Sequence, residues 1–186
     1  EESCIPSYTH SNALLSWVAW QRLEASVKIW RLSGAGIRVL DFGAGSGILC
    51  SLLPGSADYN FAELDDALAT KLISRYRGAR RFGIEQEGPE FDAIFALDSL
   101  EHNEEVGVLL EQIASWLKPD GVFILSGPSE NMLYKLGRWL AGYGGHYHHQ
   151  TVYDVEKLAK QFFERKSVKV IPFGLPIFRI TSWSPR

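Results

Sequence analysis

Thiols are almost missing from this chain. Its two cysteines, Cys4 and Cys50, form no CxxC pair and sit among apolar or small neighbours, which argues against a zinc site or a disulfide and fits a reducing cytoplasm. The only methionine is Met132, so a trimmed segment is expected ahead of position 1. Long apolar runs are lacking too. The piece "ALLSWVAW" closes at Gln21 and Arg22, too short for a membrane span, and it has neither the basic start nor the cleavage site of a signal peptide. A large excess of one charge is lacking as well. With a formal net charge of −3 the chain has no general attraction for nucleic-acid phosphate or anionic lipid, and neither is expected as a partner.

What is present suits one buried core. The 186 residues, 46% of them hydrophobic, are enough for a sizeable domain and too few for two ordinary ones. We expect a single domain over 1–186: a helical segment over 1–34, a ligand-binding core over 37–127, and substrate-side helices, a loop and closing strands over 128–186. The sequence leaves the oligomeric state open.

From Ser11 or Asn12 as cap to Gly34 as stop, the spacing predicts a helix. From Ile37 the pattern becomes strand, turn, helix, repeated. "IRVLDF", "DYNFAEL", "RRFGIE", "FDAIFALD" and "VFILSG" read as strands, and "SGILCSLL", "DDALATKLISRYRG" and "EEVGVLLEQIASWLKPDG" as the helices between them. Alternation of this kind implies an α/β, doubly wound, mostly parallel sheet. Further on, "SENMLYKLGRWLAG" reads as a helix, "GYGGHYHHQ" as a loop, and "TVYDVEKLAKQFF" as a helix opened by a Thr151–Asp154 capping box. "SVKVIPF" and "IFRITSW" close the chain as an antiparallel pair through Gly174, Leu175 and Pro176, which brings the sheet to seven strands.

The stretch "VLDFGAGSG" sets Gly43, Gly45 and Gly47 directly after a strand that ends near Asp41. Glycines there let the backbone turn sharply, approach a ligand closely and present the amides of a following helix. A phosphate loop needs GxxxxGK, and a dinucleotide turn needs GxGxxG. This turn has neither spacing, and a carboxylate beside a pyrophosphate repels it. An ammonium group would be attracted, which points to the amino-acid end of S-adenosylmethionine.

At these residues the chain resembles the first motif of class I S-adenosylmethionine-dependent methyltransferases, and the likeness extends from Ile37 to Gly127. "YNFAELDDALA" is similar to the second motif, in which the resemblance gives Glu63 both ribose hydroxyls; a helix-capping Asp65 with a solvated Glu63 is the alternative. "FDAIFALDSLEHNEE" and "LKPDGVFILSGPSE" resemble the fourth and fifth strands of members that act on small molecules. The resemblance implies a Rossmann-like fold, S-adenosylmethionine as cofactor, a small-molecule acceptor, and cofactor contacts at Asp41, Gly43, Ala44, Gly45, Gly47, Glu63, Leu64 and Asp98. It also implies that the region of Tyr8 and His10 closes over the cofactor. The third-strand loop "GIEQEG" departs from the family in lacking the usual "GD" or "AD" pair whose carboxylate meets adenine, which leaves Glu85 or Gln86 in that place.

Candidate bases gather twice. If a helical turn starts after the fourth strand, Asp98, Glu101 and His102 share one face; they then either contact cofactor and pack locally, or supply a base, or bind a divalent metal. His146, with His148 and His149, lies in the glycine-rich loop, as a substrate-facing lid or an ordinary exposed loop. His102 and His146 are the candidate catalytic residues, and no metal site is assigned. Two rivals stand beside the methyltransferase reading: a non-catalytic module that keeps the pocket, and a nicotinamide-dependent oxidoreductase, which Asp41 and the glycine spacing oppose.

Overall fold

The computed structural model describes residues 8, 13–85, 88, 90–129, 150–172 and 176–186. Seven strands, β1 (Arg38–Phe42), β2 (Asp58–Ala62), β3 (Arg80–Arg81), β4 (Phe91–Leu97), β5 (Leu117–Pro128), β6 (Phe163–Ile171) and β7 (Phe178–Pro185), form one sheet in the order β3-β2-β1-β4-β5-β7-β6. β1 to β5 run parallel, and β7 is antiparallel to both of its neighbours. The expected fold class is therefore observed. Among the described residues no helix is long and apolar enough to cross a membrane.

Successive side chains on a strand face opposite ways, and β1 uses both directions. Leu40 joins a core with Ile94, Phe123 and Trp183 that α3 (Val106–Trp116) covers with Leu110, Ile113 and Trp116, and α4 (Val152–Ala159) with Val155 and Ala159. Val39 joins Ala93, Phe95, Val122 and Ile124 under Val18, Ala25 and Trp30 of α1 (Ala13–Ser33). Beside it, α2 (Asp66–Arg75) lays Ala69 and Leu72 over Tyr59 and Phe61. Both faces of the sheet are thus covered. Removing so many large apolar side chains from water, at about 25 cal/mol per Å2, supplies the main drive for this assembly.

Several boundaries differ from the sequence expectation. The helix predicted to reach Gly121 stops at Trp116, because Pro119 has no amide hydrogen and pushes Lys118 to extended backbone, while Leu117 pairs with Phe91. "SGILCSLL" yields only a 3-10 stretch, Ile48–Leu52, ahead of Pro54. The third strand shrinks to Arg80–Arg81, and α4 ends at Ala159, so that Phe163 already belongs to β6. The Thr151–Asp154 capping box is present as expected. The helix cap at Ser11 or Asn12 lies outside the described residues, as do most of the helix over 129–142, the histidine loop up to His149, and Gly174 and Leu175.

The chain passes from β1 outward to β2 and β3, then crosses back to β4 on the other side of β1. Ligands of open α/β sheets bind beyond the carboxyl ends of the strands at such a reversal. The ends of β1, β2 and β4 meet there.

Candidate functional site

Gly43 follows β1 at φ +72, and a Cβ there would lie 2.4 Å from the Cβ of Ser99. Glycine therefore lets the end of β1 touch the loop after β4. Gly45, at φ +53, has nothing within 4 Å of where its Cβ would stand. It borders open space instead. The amides of this turn are turned inward: those of Gly43 and Ala44 donate to Ala62 O at 2.9 and 3.2 Å, that of Gly47 to Ala44 O at 2.9 Å, and that of Gly45 to Glu63 Oε2 at 2.7 Å. The expected helix after the turn is thus corrected to a 3-10 stretch, Ile48–Leu52. Four amides of the turn, those of Gly43, Ala44, Gly45 and Gly47, are taken up by the protein itself.

The open space is a cleft of about 330 Å3 whose wall includes Asp41, Gly43, Ala44, Gly45, Glu63, Asp98 and His102. Asp41 is 4% exposed. Its Oδ2 accepts a 2.6 Å hydrogen bond from the Tyr59 hydroxyl, one strand over on the same face. Burial pushes the Asp41 carboxyl up to about 7, against the lowering effect of that hydrogen bond and with a smaller upward push from Glu63. Burial and Asp41 likewise hold the Tyr59 phenol well above its ordinary value, so it stays a neutral donor. Nearby, burial raises the half-buried Cys50 thiol to about 11, with Asp41 adding to the shift.

Glu63 stands at the end of β2 with both oxygens engaged by backbone, Oε2 from Gly45 N and Oε1 from Asp65 N at 2.9 Å. Asp65 caps α2 through Ala67 N and Leu68 N. A carboxylate has about four acceptor positions, so Glu63 straps the turn and keeps capacity on the cleft side. It is not simply a solvated strand-end charge.

The trio after β4 does not share a helical face. Asp98 takes a left-handed backbone at φ 54, and the 3-10 turn that follows spans only Leu100–His102. The Asp98 carboxylate forms an ion pair with Arg22 of α1. Glu101 is buried at 2% exposure, close to where Gly127 passes, whereas His102 is exposed and borders the cleft. Among the described residues no three acidic, histidine or cysteine side chains are placed to hold a metal ion.

Gly47 packs against Leu72, beneath the cleft wall. Leu64 is 80% exposed and stands outside the lining, and the Glu85 carboxylate folds back over Gly83. Gln86, His10 and His146 lie outside the described residues. Tyr8 does line the cleft. Sequence reading missed Tyr59 and Arg22. The first can be found only from the register of β1 on β2; the second had a signal, a basic residue four positions after Val18 and four before Ser26 on the buried stripe of α1.

The chain resembles known proteins in sequence and in fold. The chain is 32% identical over 126 residues to a ubiquinone biosynthesis O-methyltransferase of Bradyrhizobium diazoefficiens, covering 61% of this chain and 48% of that one. It spans about half the length of the curated relatives it matches. In fold it is similar to the PH0226 protein from Pyrococcus horikoshii OT3, with a TM-score of 0.73 at 18% identity over 97% of this chain and 96% of that one. It is also similar to magnesium protoporphyrin IX methyltransferase from Synechocystis PCC 6803 with bound SAH, with a TM-score of 0.72 at 18% identity over 95% and 89%. The family model described as "Methyltransferase domain" matches residues 18–165, a span that holds the sheet from β1 to β5, the glycine turn, Asp41, Glu63 and Asp98, and by this match the chain belongs to that methyltransferase family.

Proposed function

We propose that the cleft binds S-adenosylmethionine and that the chain transfers its methyl group to a small-molecule acceptor. The observation that carries this reading is the charge of the cleft. Asp41 is buried there, with the neutral Tyr59 hydroxyl as its hydrogen-bond donor among the described residues, beside a turn in which the amides of Gly43, Ala44, Gly45 and Gly47 are already bonded. A pyrophosphate meets the carboxylates of Asp41, Glu63, Asp65 and Asp98 in the lining, which disfavours the nicotinamide-dependent rival. An ammonium finds an acceptor it can ionise fully. Glu63, at the β2 side, has spare acceptor positions for a ribose diol. These features fit the cofactor.

When bound, S-adenosylmethionine supplies an activated methyl group on a sulfonium. The protein's part is alignment, since holding two reactants in near-attack geometry lowers a barrier by roughly 7 to 11 kcal/mol. Asp41 holds the amino-acid end, Glu63 the ribose, and Gly45 leaves room between them. His102, exposed on the β4 side of the cleft, stands where a proton leaving a hydroxyl or amine acceptor could be taken, a contribution of typically about 10²- to 10⁴-fold. The relatives named for O-methylation in ubiquinone biosynthesis and for magnesium protoporphyrin IX support a small-molecule acceptor.

Calorimetric titration with S-adenosylmethionine, S-adenosylhomocysteine and NADH tests the ligand class. Heat from the first two and none from NADH is the expected result. Incubation of cell extract with the protein and methyl-labelled cofactor then tests the reaction. A labelled metabolite supports it, and tight cofactor binding without any labelled product would favour the non-catalytic module.

A further inference from the structure

Packing alone asks for no hydroxyl at position 59. The Tyr59 ring is 4% exposed, stacks on Phe61 with ring centres 6.4 Å apart, and shares a cluster with Ala69 and Leu72 of α2. A phenylalanine ring fills the same place. A buried hydroxyl costs free energy unless it is hydrogen-bonded, and the partner of this one is the Asp41 carboxylate at 2.6 Å. Val39 lies opposite Tyr59 and Asp41 opposite Phe61, so the phenol reaches the carboxylate diagonally across two parallel strands. Asp41 lines the cleft and Tyr59 does not. The hydroxyl therefore meets the carboxylate from behind the wall. Of the neighbouring groups, Cys50 on the 3-10 stretch keeps a neutral thiol, raised to about 11 by burial and by Asp41, and Glu63 at the end of β2 is a second carboxylate held by the amides of Gly45 and Asp65. After β4, Asp98 is paired with Arg22 of α1 and His102 is exposed, while the Tyr76 hydroxyl at the end of α2 is buried with no hydrogen-bond partner among the described residues. Among the described residues Tyr59 is thus the one side chain that donates to Asp41.

We propose that Tyr59 is a positioning residue that acts through Asp41: by donating to the carboxylate from behind, it keeps an acceptor ready for an ammonium and sets the lowest pH at which the cleft takes its ligand up. The inference rests on the S-adenosylmethionine reading of the cleft. A hydrogen bond to the charged form of a carboxylate favours that form, whereas burial and a neighbouring carboxylate disfavour it. Burial pushes Asp41 up to about 7, and β2 works on it in both directions, with Tyr59 lowering it and Glu63 raising it. Without the hydroxyl, the proton stays on Asp41 to a higher pH. A protonated carboxyl must lose that proton before it pairs with an ammonium, so ligand affinity carries the titration of Asp41 within it. Burial and Asp41 hold the Tyr59 phenol well above its ordinary value. It therefore remains a neutral donor throughout the range in which Asp41 titrates.

The test is the pH profile of affinity for S-adenosylhomocysteine, measured by calorimetry from a pH of about 6 to about 8.5 for wild type and Tyr59→Phe. Phenylalanine keeps the ring and its contacts, and the melting temperature checks that the fold stands. Wild-type affinity should rise with pH and level off above about 7, and the curve of the variant should lie about one pH unit higher. Tyr59→Phe is therefore expected to bind about fivefold more weakly at a pH of about 7 and within about twofold of wild type at about 8.5. Near neutrality it should also release almost one proton per ligand bound, against about half for wild type. Two controls separate this role from packing. 5′-Methylthioadenosine, which lacks the amino-acid end, should bind both proteins alike at every pH, and Asp41→Asn/Tyr59→Phe should match Asp41→Asn within about twofold in S-adenosylhomocysteine affinity. A loss of equal size at every pH, a loss shared by 5′-methylthioadenosine or one that persists beside Asp41→Asn makes the hydroxyl a structural tie and overturns the proposal, as does unchanged affinity throughout. Wild-type affinity for S-adenosylhomocysteine that stays level across the range overturns it together with the ammonium role of Asp41. Wild-type protein that binds neither probe overturns the cleft reading itself.

Discussion

Glu156 on α4 and Asp41 on β1 are equally buried, at 4% exposure each, and their surroundings differ completely. Glu156 receives Arg165 Nη1 at 3.0 Å and the Nε and Nη2 of Arg179, so two cations from β6 and β7 surround one anion. Asp41 receives a phenol hydroxyl and faces a cleft. Burying a carboxylate without a counter-charge is costly and raises its pKa, and the shift of Asp41 to about 7 is that cost made visible. The first region is complete within the protein. On the proposed reading of the cleft, the second is completed by the ammonium group of the ligand. An anion with no cation beside it among the described residues is therefore a better pointer to the ligand than an anion that is fully paired.

Four substitutions sharpen this contrast, in order of their effect on affinity for S-adenosylhomocysteine. Gly45→Val should abolish binding, because the side chain enters the cleft and φ +53 disfavours a β-branched residue; a folded variant with normal affinity would show that the turn is a mere connection. Glu63→Ala should weaken binding by about a hundredfold, roughly 3 kcal/mol, since it removes the diol acceptor and unties the turn from β2. Unchanged affinity with an intact fold would move the ribose role to another residue.

Asp41→Asn should weaken binding by about tenfold and yet stabilise the ligand-free protein above neutral pH. With the folded carboxyl near 7 and an unfolded value of about 4, the folded chain holds the extra proton, and stability is lost as pH rises through that window. Asparagine can still accept from Tyr59 and carries no charge to desolvate. Thermal melts of both proteins at a pH of about 6 and about 8 check this; a variant less stable than wild type at the higher pH would break the comparison. Glu156→Gln should have the smallest effect on affinity, within about twofold, while lowering the melting temperature by several degrees as two arginines lose their anion. Loss of ligand affinity without loss of stability would mean that the two carboxylates are not of different kinds.

Much of the architecture was legible because it is written locally. Strand and helix periods, the glycine turn and the acidic residue ending β2 each occupy a few consecutive positions. Boundaries that tertiary pairing decides were not, as when Leu117 leaves its helix to pair with Phe91. The partners of the site were hidden for a related reason. Tyr59 meets Asp41 only through the register of adjacent strands, and Asp98 meets Arg22 only because α1 packs back across the sheet. The motif offers the candidate carboxylates, but the charges around them depend on the folded chain.

Proton release on ligand binding tests the central claim most directly. Near pH 7 about half of the Asp41 side chains carry a proton, and an ammonium held against Asp41 must displace it. Titration calorimetry with S-adenosylhomocysteine, repeated in buffers of different ionisation enthalpy, counts protons lost per ligand bound. The expected result is release of about half a proton near pH 7, falling toward zero as the pH is raised by about one unit and disappearing in Asp41→Asn. Binding with no proton release at any pH, or the same release from the variant, would contradict the claim that Asp41 receives the ligand's ammonium.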